Sequence, residues 1–220
     1  MTATIGFFHT VAGLAETFDE LTAEYAPEAE HFHVVDESVL DDALEIGKLT
    51  PSIRNRICTQ LSLVEQGGAD VILDTCSSTS PAVDVARELV EVPILKIDDP
   101  MTDRAVELGD IVGVLATAES TLGPSTGLVA SKADQQGKDV AIESLHVEDA
   151  LDARTSGDVD RHDELVREDA RALAGDVDVL VLAQASMAHL QADLNEELDV
   201  PVLSSPDTAM ERIAEIVDEA

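Results

Sequence analysis

The stretch "ILDTCSSTSP" (72–81) holds the residues most able to do chemistry. An apolar run stops at Asp74, and Thr75, Cys76, Ser77, Ser78, Thr79 and Ser80 follow before Pro81. A thiol at the end of a strand and ahead of a helix start meets free N–H groups and the positive end of a helix dipole. That field lowers a thiol pKa and also attracts an anion. Cys76 is therefore expected to act as an acid/base, as thiolate and thiol, beside a bound carboxylate. The plainer reading is a small buried hydrophobe in front of a helix capped by Ser80, with Pro81 at the first helical position.

Three more strand ends carry polar groups. His9 and Thr10 close "ATIGFFH" (3–9), Thr117 closes "DIVGVLAT" (110–117), and Gln184 closes "DVDVLVLAQ" (176–184). His9, with an ordinary pKa near 6.5, could tune Cys76 or donate a proton. Hydroxyls and backbone N–H groups suit a carboxylate and the charge that develops on an enediolate. Each hydroxyl could equally be a cap or a turn residue; Ser186 in particular suits the N-cap of the helix after it. His162 reads as a solvated helix start and His189 as structural. His31, His33 and His146 are scattered, and "HFH" alone is a weak ligand pattern, so no metal is expected. No P-loop, no GxGxxG and no lysine in a Schiff-base setting are present, so no cofactor is expected.

These residues need a scaffold, and the chain supplies one of alternating β and α patterns. Strands at 3–9, 31–35, 70–75 and 92–97 alternate with helices at 13–25, 50–68, 80–90 and 100–108. The order then restarts: strands at 110–117, 139–145, 176–184 and 200–204 alternate with helices at about 121–136 and 160–174, one from Ser186 and one opened by Ser205-Pro206. Residues 146–160 read as polar and irregular. The halves align, with Ile5-Gly6 on Val112-Gly113, Thr10 on Thr117 at an offset of 107, and Cys76 on Gln184 at an offset of 108. The fold class expected is α/β, two pseudo-symmetric lobes, each a parallel sheet flanked by helices. The lobes are 1–108 and 109–220, and the C-terminal helix is free to pack back on the first. Ligands of such sheets bind beyond the C-terminal strand ends, which places the site between the lobes.

The bulk composition narrows the partners. Of 220 residues, 45% are hydrophobic, which is enough for a sizeable core. The formal net charge is −33, from 46 acidic and 13 basic residues, and the acids are spread along the whole chain. That excess excludes nucleic acid and anionic membrane surfaces as partners. With only four lysines and 2% aromatics it looks like a halophilic cytoplasmic protein. A partner of cationic character would call for one acidic patch instead. No apolar stretch approaches a membrane span. Two cysteines make no disulfide framework, and Cys58 reads as a helix residue on a core face. A homo-oligomer is compatible with all of this.

Four stretches in order, "DTCSSTSP", "VGVLATAESTLGP", "GDVDRHDELV" and "LVLAQASM", resemble the aspartate/glutamate racemase superfamily, in its Asp/Glu/hydantoin racemase-like branch. The resemblance covers nearly the whole chain. It implies a cofactor-independent isomerase acting at the α-carbon of a small carboxylic or amino acid, with one cysteine from each lobe on either face of that carbon. Cys76 matches the first-lobe cysteine. Thr75, Ser77, Ser78, Thr117, Thr121 and Ser186 match positions that bind substrate; Thr10 is expected to join them, and Gln184 to hydrogen-bond a substrate group. Gln184 stands where the second cysteine would be, and His9-Thr10 replace the usual Asp-Ser. Two alternatives stay open: a decarboxylase-like lyase, and a carboxylate-binding protein without turnover.

Overall fold

A computed structural model describes residues 2–219. The chain divides into two compact units, residues 1–97 with 209–220, and residues 98–208.

In the first unit the order is β1 (Thr4–His9), α1 (Leu14–Tyr25), β2 (Glu30–Val35), α2 (Glu37–Ile46), α3 (Pro51–Gln66), β3 (Val71–Asp74), α4 (Ser80–Ala86) and β4 (Ile94–Lys96). Its four strands are parallel in the order β2-β1-β3-β4. Strands covered on both faces read as near-continuous apolar runs, and "VILD" and "IGFF" do so. Phe8 and Ile72 pack with Ile53, Ile57, Leu61 and Val64 of α3 and with Ala82, Val83 and Ala86 of α4. Each Val, Leu, Ile or Phe side chain among them contributes about 1.5–3 kcal/mol when fully buried. α3 starts as its sequence demands, since Thr50 accepts from the Ile53 N–H and Pro51 fills the first turn.

The second unit runs α5 (Asp99–Leu108), β5 (Ile111–Ala116), α6 (Glu119–Gln136), β6 (Ala141–His146), α7 (Ala150–Thr155), α8 (Val159–Ala174), β7 (Val179–Leu182), a 3₁₀ helix (Ala185–Leu190), α9 (Gln191–Glu197) and β8 (Val202–Ser204). Its parallel sheet has the matching order β6-β5-β7-β8. Alternation sorts the sheet's two faces: Val112, Val114, Val179 and Val181 pack with α5 and α6, while Leu115, Leu180 and Leu182 pack with α8 and Leu190. α10 spans Ser205–Glu219, and its part from Ala209 onward belongs with the first unit.

The duplication holds at the level of register. Phe8 pairs with Asp74 as Leu115 pairs with Leu182. The Thr75 N–H donates to the Phe8 carbonyl as the Ala183 N–H donates to that of Leu115. The repeated glycine has a packing cause. A Cβ on Gly6 would meet Val64 Cγ1 at 2.2 Å, and one on Gly113 would meet Leu180, Leu173 and Val177 at 3.1–3.2 Å.

The structure departs from or adds to the sequence reading at five points. Residues 37–46 form α2, and α7 lies within the stretch read as irregular. The division falls before α5 and not after it, because Met101, Ala105 and Val106 share a core with Val112 and Val129. Ser80 is the first residue of α4, and its buried hydroxyl caps nothing. Ser186 lies inside the 3₁₀ helix, whose N-cap position is Gln184.

Candidate active site

β3 ends at Asp74, and the chain then turns through Ser77–Thr79 into α4. Asp74, Thr75, Cys76 and Thr79 are all buried, while Ser77 and Ser78 are half-buried. The Thr79 hydroxyl lies 2.9 Å from both carboxylate oxygens of Asp74 and 2.8 Å from the Cys76 carbonyl. α4 has only seven residues, so the expected helix dipole is slight. Burial pushes the Cys76 thiol up, the Asp74 charge pushes it further, and the nearby Thr10 and Thr79 hydroxyls partly oppose both. The resting form is therefore a thiol, contrary to the thiolate that the sequence led us to expect. Thr10 is close enough to favour a thiolate, yet its buried Oγ1 completes no hydrogen bond of good geometry. Cys58, in the α3 core, offers its thiol to the Ala82 carbonyl at 3.7 Å and reads as structural, as expected.

His9 is fully buried at the end of β1, and its two ring nitrogens bond to Thr75 and His33, not to the thiol. Nδ1 lies 2.7 Å from Thr75 Oγ1, and Nε2 lies 2.8 Å from His33 Nδ1. Thr75 Oγ1 donates to the Phe8 carbonyl at 3.1 Å. Burial pulls His9 from 6.5 to about 4; His33 adds to the fall and Asp19 opposes it. His9 is thus neutral at neutral pH and reaches the thiol's neighbourhood only through Thr75. His31 and His33, scattered in the sequence, come together with Asp19 of α1, a grouping that the spacing of "HFH" hinted at and that Asp19 completes.

In the second unit, Thr117 is buried at the end of β5 and Thr121 is buried in the first turn of α6. Gln184 Oε1 accepts from the Thr117 N–H at 2.6 Å, the Thr117 hydroxyl at 3.0 Å and the Ala118 N–H at 3.2 Å. These three bonds leave Gln184 only its amide N–H groups to offer a ligand. A cavity of about 580 Å³ opens at this strand end, lined by Thr117, Ser120 and His146 and by the acids Glu119, Glu148, Asp149 and Asp152. Its acidic wall suits a cationic or amine group better than a carboxylate. Ser186 is half-buried. His162, expected to be solvated, is fully buried, with Nδ1 2.7 Å from Asp163; exposed His189 contacts the same carboxylate at 2.9 Å.

The Asp/Glu/Hydantoin racemase family model matches residues 8–213. The chain belongs to that family. Its enzyme class is accordingly that of a racemase, an isomerase. Solved structures agree on the fold. An allantoin racemase from Klebsiella pneumoniae is 20% identical, with a TM-score of 0.72 over 99% of this chain and 88% of that one. A glutamate racemase from Bacillus anthracis is 14% identical, with a TM-score of 0.75 over 99% and 82%. The Picrophilus torridus aspartate racemase is 15% identical, with a TM-score of 0.74 over 97% and 94%. No curated protein matches the chain in sequence. No helix among the described residues is long and apolar enough to cross a membrane.

Proposed function

We propose that this racemase-family enzyme exchanges the α-proton of a small carboxylic or amino acid, without a cofactor, with Cys76 as the acid/base. The observation that carries the reading is the setting of Cys76. It is a buried thiol at a strand end, between a carboxylate that opposes its ionisation and hydroxyls that favour it. Such a group rests as an acid ready to return a proton and becomes a base on ionising. Thr10, Ser77 and Ser78 are the proposed contacts for the substrate carboxylate, and Thr10 Oγ1 lacks a hydrogen bond to satisfy it. Thr75 supports them from behind, since its own proton is committed to Phe8. His9 positions Thr75. In the second unit the proposed contacts are Thr117, Thr121, Ser186 and the amide N–H groups of Gln184.

The clamped Gln184 favours a second reading. A side chain without a titrating proton cannot complete a two-thiol exchange, and that suits a lyase that delivers a proton from one face. Both readings are tested by proton NMR in D₂O over amino, hydroxy and malonate-type acids. Loss of the α-proton signal at constant substrate concentration supports exchange, loss of the substrate with release of CO₂ supports the lyase, and neither change with any bound acid overturns both.

A further inference from the structure

The side chains of Asp19, His31 and His33 bring three ligand atoms within 4.8 Å of one another. His31 Nε2 lies 2.7 Å, and His33 Nε2 3.1 Å, from the same oxygen of Asp19. We propose that this cluster is a binding site for a zinc-class divalent cation. Zinc at about 2.0–2.1 Å from each donor sets the corners of its tetrahedron roughly 3.3 Å apart, so the His31–Asp19 and His33–Asp19 separations of 2.7 and 3.1 Å each need to widen by well under 1 Å. Two imidazoles and a carboxylate select a borderline ion such as Zn²⁺ over Mg²⁺ or Ca²⁺, which prefer all-oxygen sites. Over half of the Asp19 side chain is exposed, so water can take the fourth position.

What lies behind the ligands fits the same reading. A ligating histidine donates its other ring N–H to a fixed partner. With an ion on His33 Nε2, the proton sits on Nδ1 and is given to His9 Nε2. His9 then donates from Nδ1 to Thr75 Oγ1, and Thr75 donates to the Phe8 carbonyl. Every donor in this chain finds an acceptor. Phe7 buttresses the rings, stacked on His33 and His9 and edge-on to His31. The duplicated unit shows that the fold requires none of this. Gly6 pairs with Phe32 as Gly113 pairs with Glu143, so His31 and His33 correspond to Ile142 and Ser144, His9 to Ala116, and Thr75 to Ala183. Four residues that the architecture leaves free have been set as ligands and their support.

The test is calorimetric titration of the chelator-treated full chain with Zn²⁺ in 1 M KCl, which screens diffuse binding to the acidic surface. His31→Ile and His33→Ser borrow the residues of the second unit, and thermal melts establish that they fold. One Zn²⁺ per chain, weakened at least tenfold in each variant and undisturbed by excess Mg²⁺, is expected. Co²⁺ should give the intense visible bands of a four-coordinate site in the parent chain only. Zinc binding that is absent, displaced by Mg²⁺ or unchanged in both variants overturns the proposal. Should both variants misfold, Asp19→Asn on the exposed face of α1 gives the same two-way reading.

Discussion

Gln184 turns its carbonyl oxygen onto Thr117 and holds both the N–H and the hydroxyl of that residue. The two positions repeat those of Cys76 and Thr10, where a hydroxyl stands beside a thiol. One ancestral contact thus exists twice, with a titrating group in one copy and an amide in the other. Gln184→Cys tests the difference. It removes an acceptor from two backbone N–H groups, and a stability loss of about 1–3 kcal/mol should appear in urea melts. The same N–H groups favour a thiolate, so the new cysteine should be alkylated faster than Cys76. Slower alkylation would show that the Thr117 turn does not present its donors to that position.

Cys76 should govern pH dependence on the alkaline side. Its pKa is raised in the folded chain, so the native state keeps a proton that the unfolded chain releases near pH 8.5–9. The stability from this group is complete below that range and falls as pH rises through the folded pKa. Cys76→Ser should flatten the alkaline limb of the melting temperature. For exchange the sign is opposite: a thiolate base makes kcat/KM rise with pH, with an apparent pKa above that of an ordinary thiol. A plateau reached by pH 7 would mean that another base acts.

Thr75 ties His9 to the end of β3. Thr75→Val removes the acceptor of a buried imidazole N–H and should cost about 1–3 kcal/mol. Thr75→Ser should recover most of it. Equal melting of both variants would show that the hydroxyl carries no such bond in solution.

The charge of −33 should make folding depend on salt. Raising salt from 0.1 to 1 M shortens the Debye length from about 10 to about 3 Å and relieves self-repulsion. The melting temperature should climb steeply over that range, and a flat curve from 0.1 to 2 M would contradict the halophilic reading.

The architecture was legible because duplication and periodicity are written along the chain. Gly6 and Gly113 recur because a helix presses on each strand, and the apolar runs recur because both sheet faces are covered. The chemistry was less legible where it depends on burial. "DTCSS" looked like a thiolate at a helix start, but burial of the thiol and then the Asp74 charge reverse the sign of the shift, and α4 is too short to oppose them. His162 looked solvated because its neighbours are charged, yet it points into the unit. Asp19 meets His31 and His33 only through the packing of α1, which periodicity does not reveal. α2 escaped notice because its apolar face is thin, with Val39 its only fully buried residue.

The most direct test follows the α-proton itself. Each enantiomer of the acid that exchanges best is incubated in D₂O with the parent chain and with Cys76→Ser, then read by chiral chromatography and mass. With Cys76 as the acid/base and an amide at Gln184, the parent chain should incorporate one deuterium faster than it inverts configuration. The variant should lose exchange by at least a hundredfold, at the low end of what a positioned acid/base contributes. Exchange undiminished in Cys76→Ser would contradict the account outright.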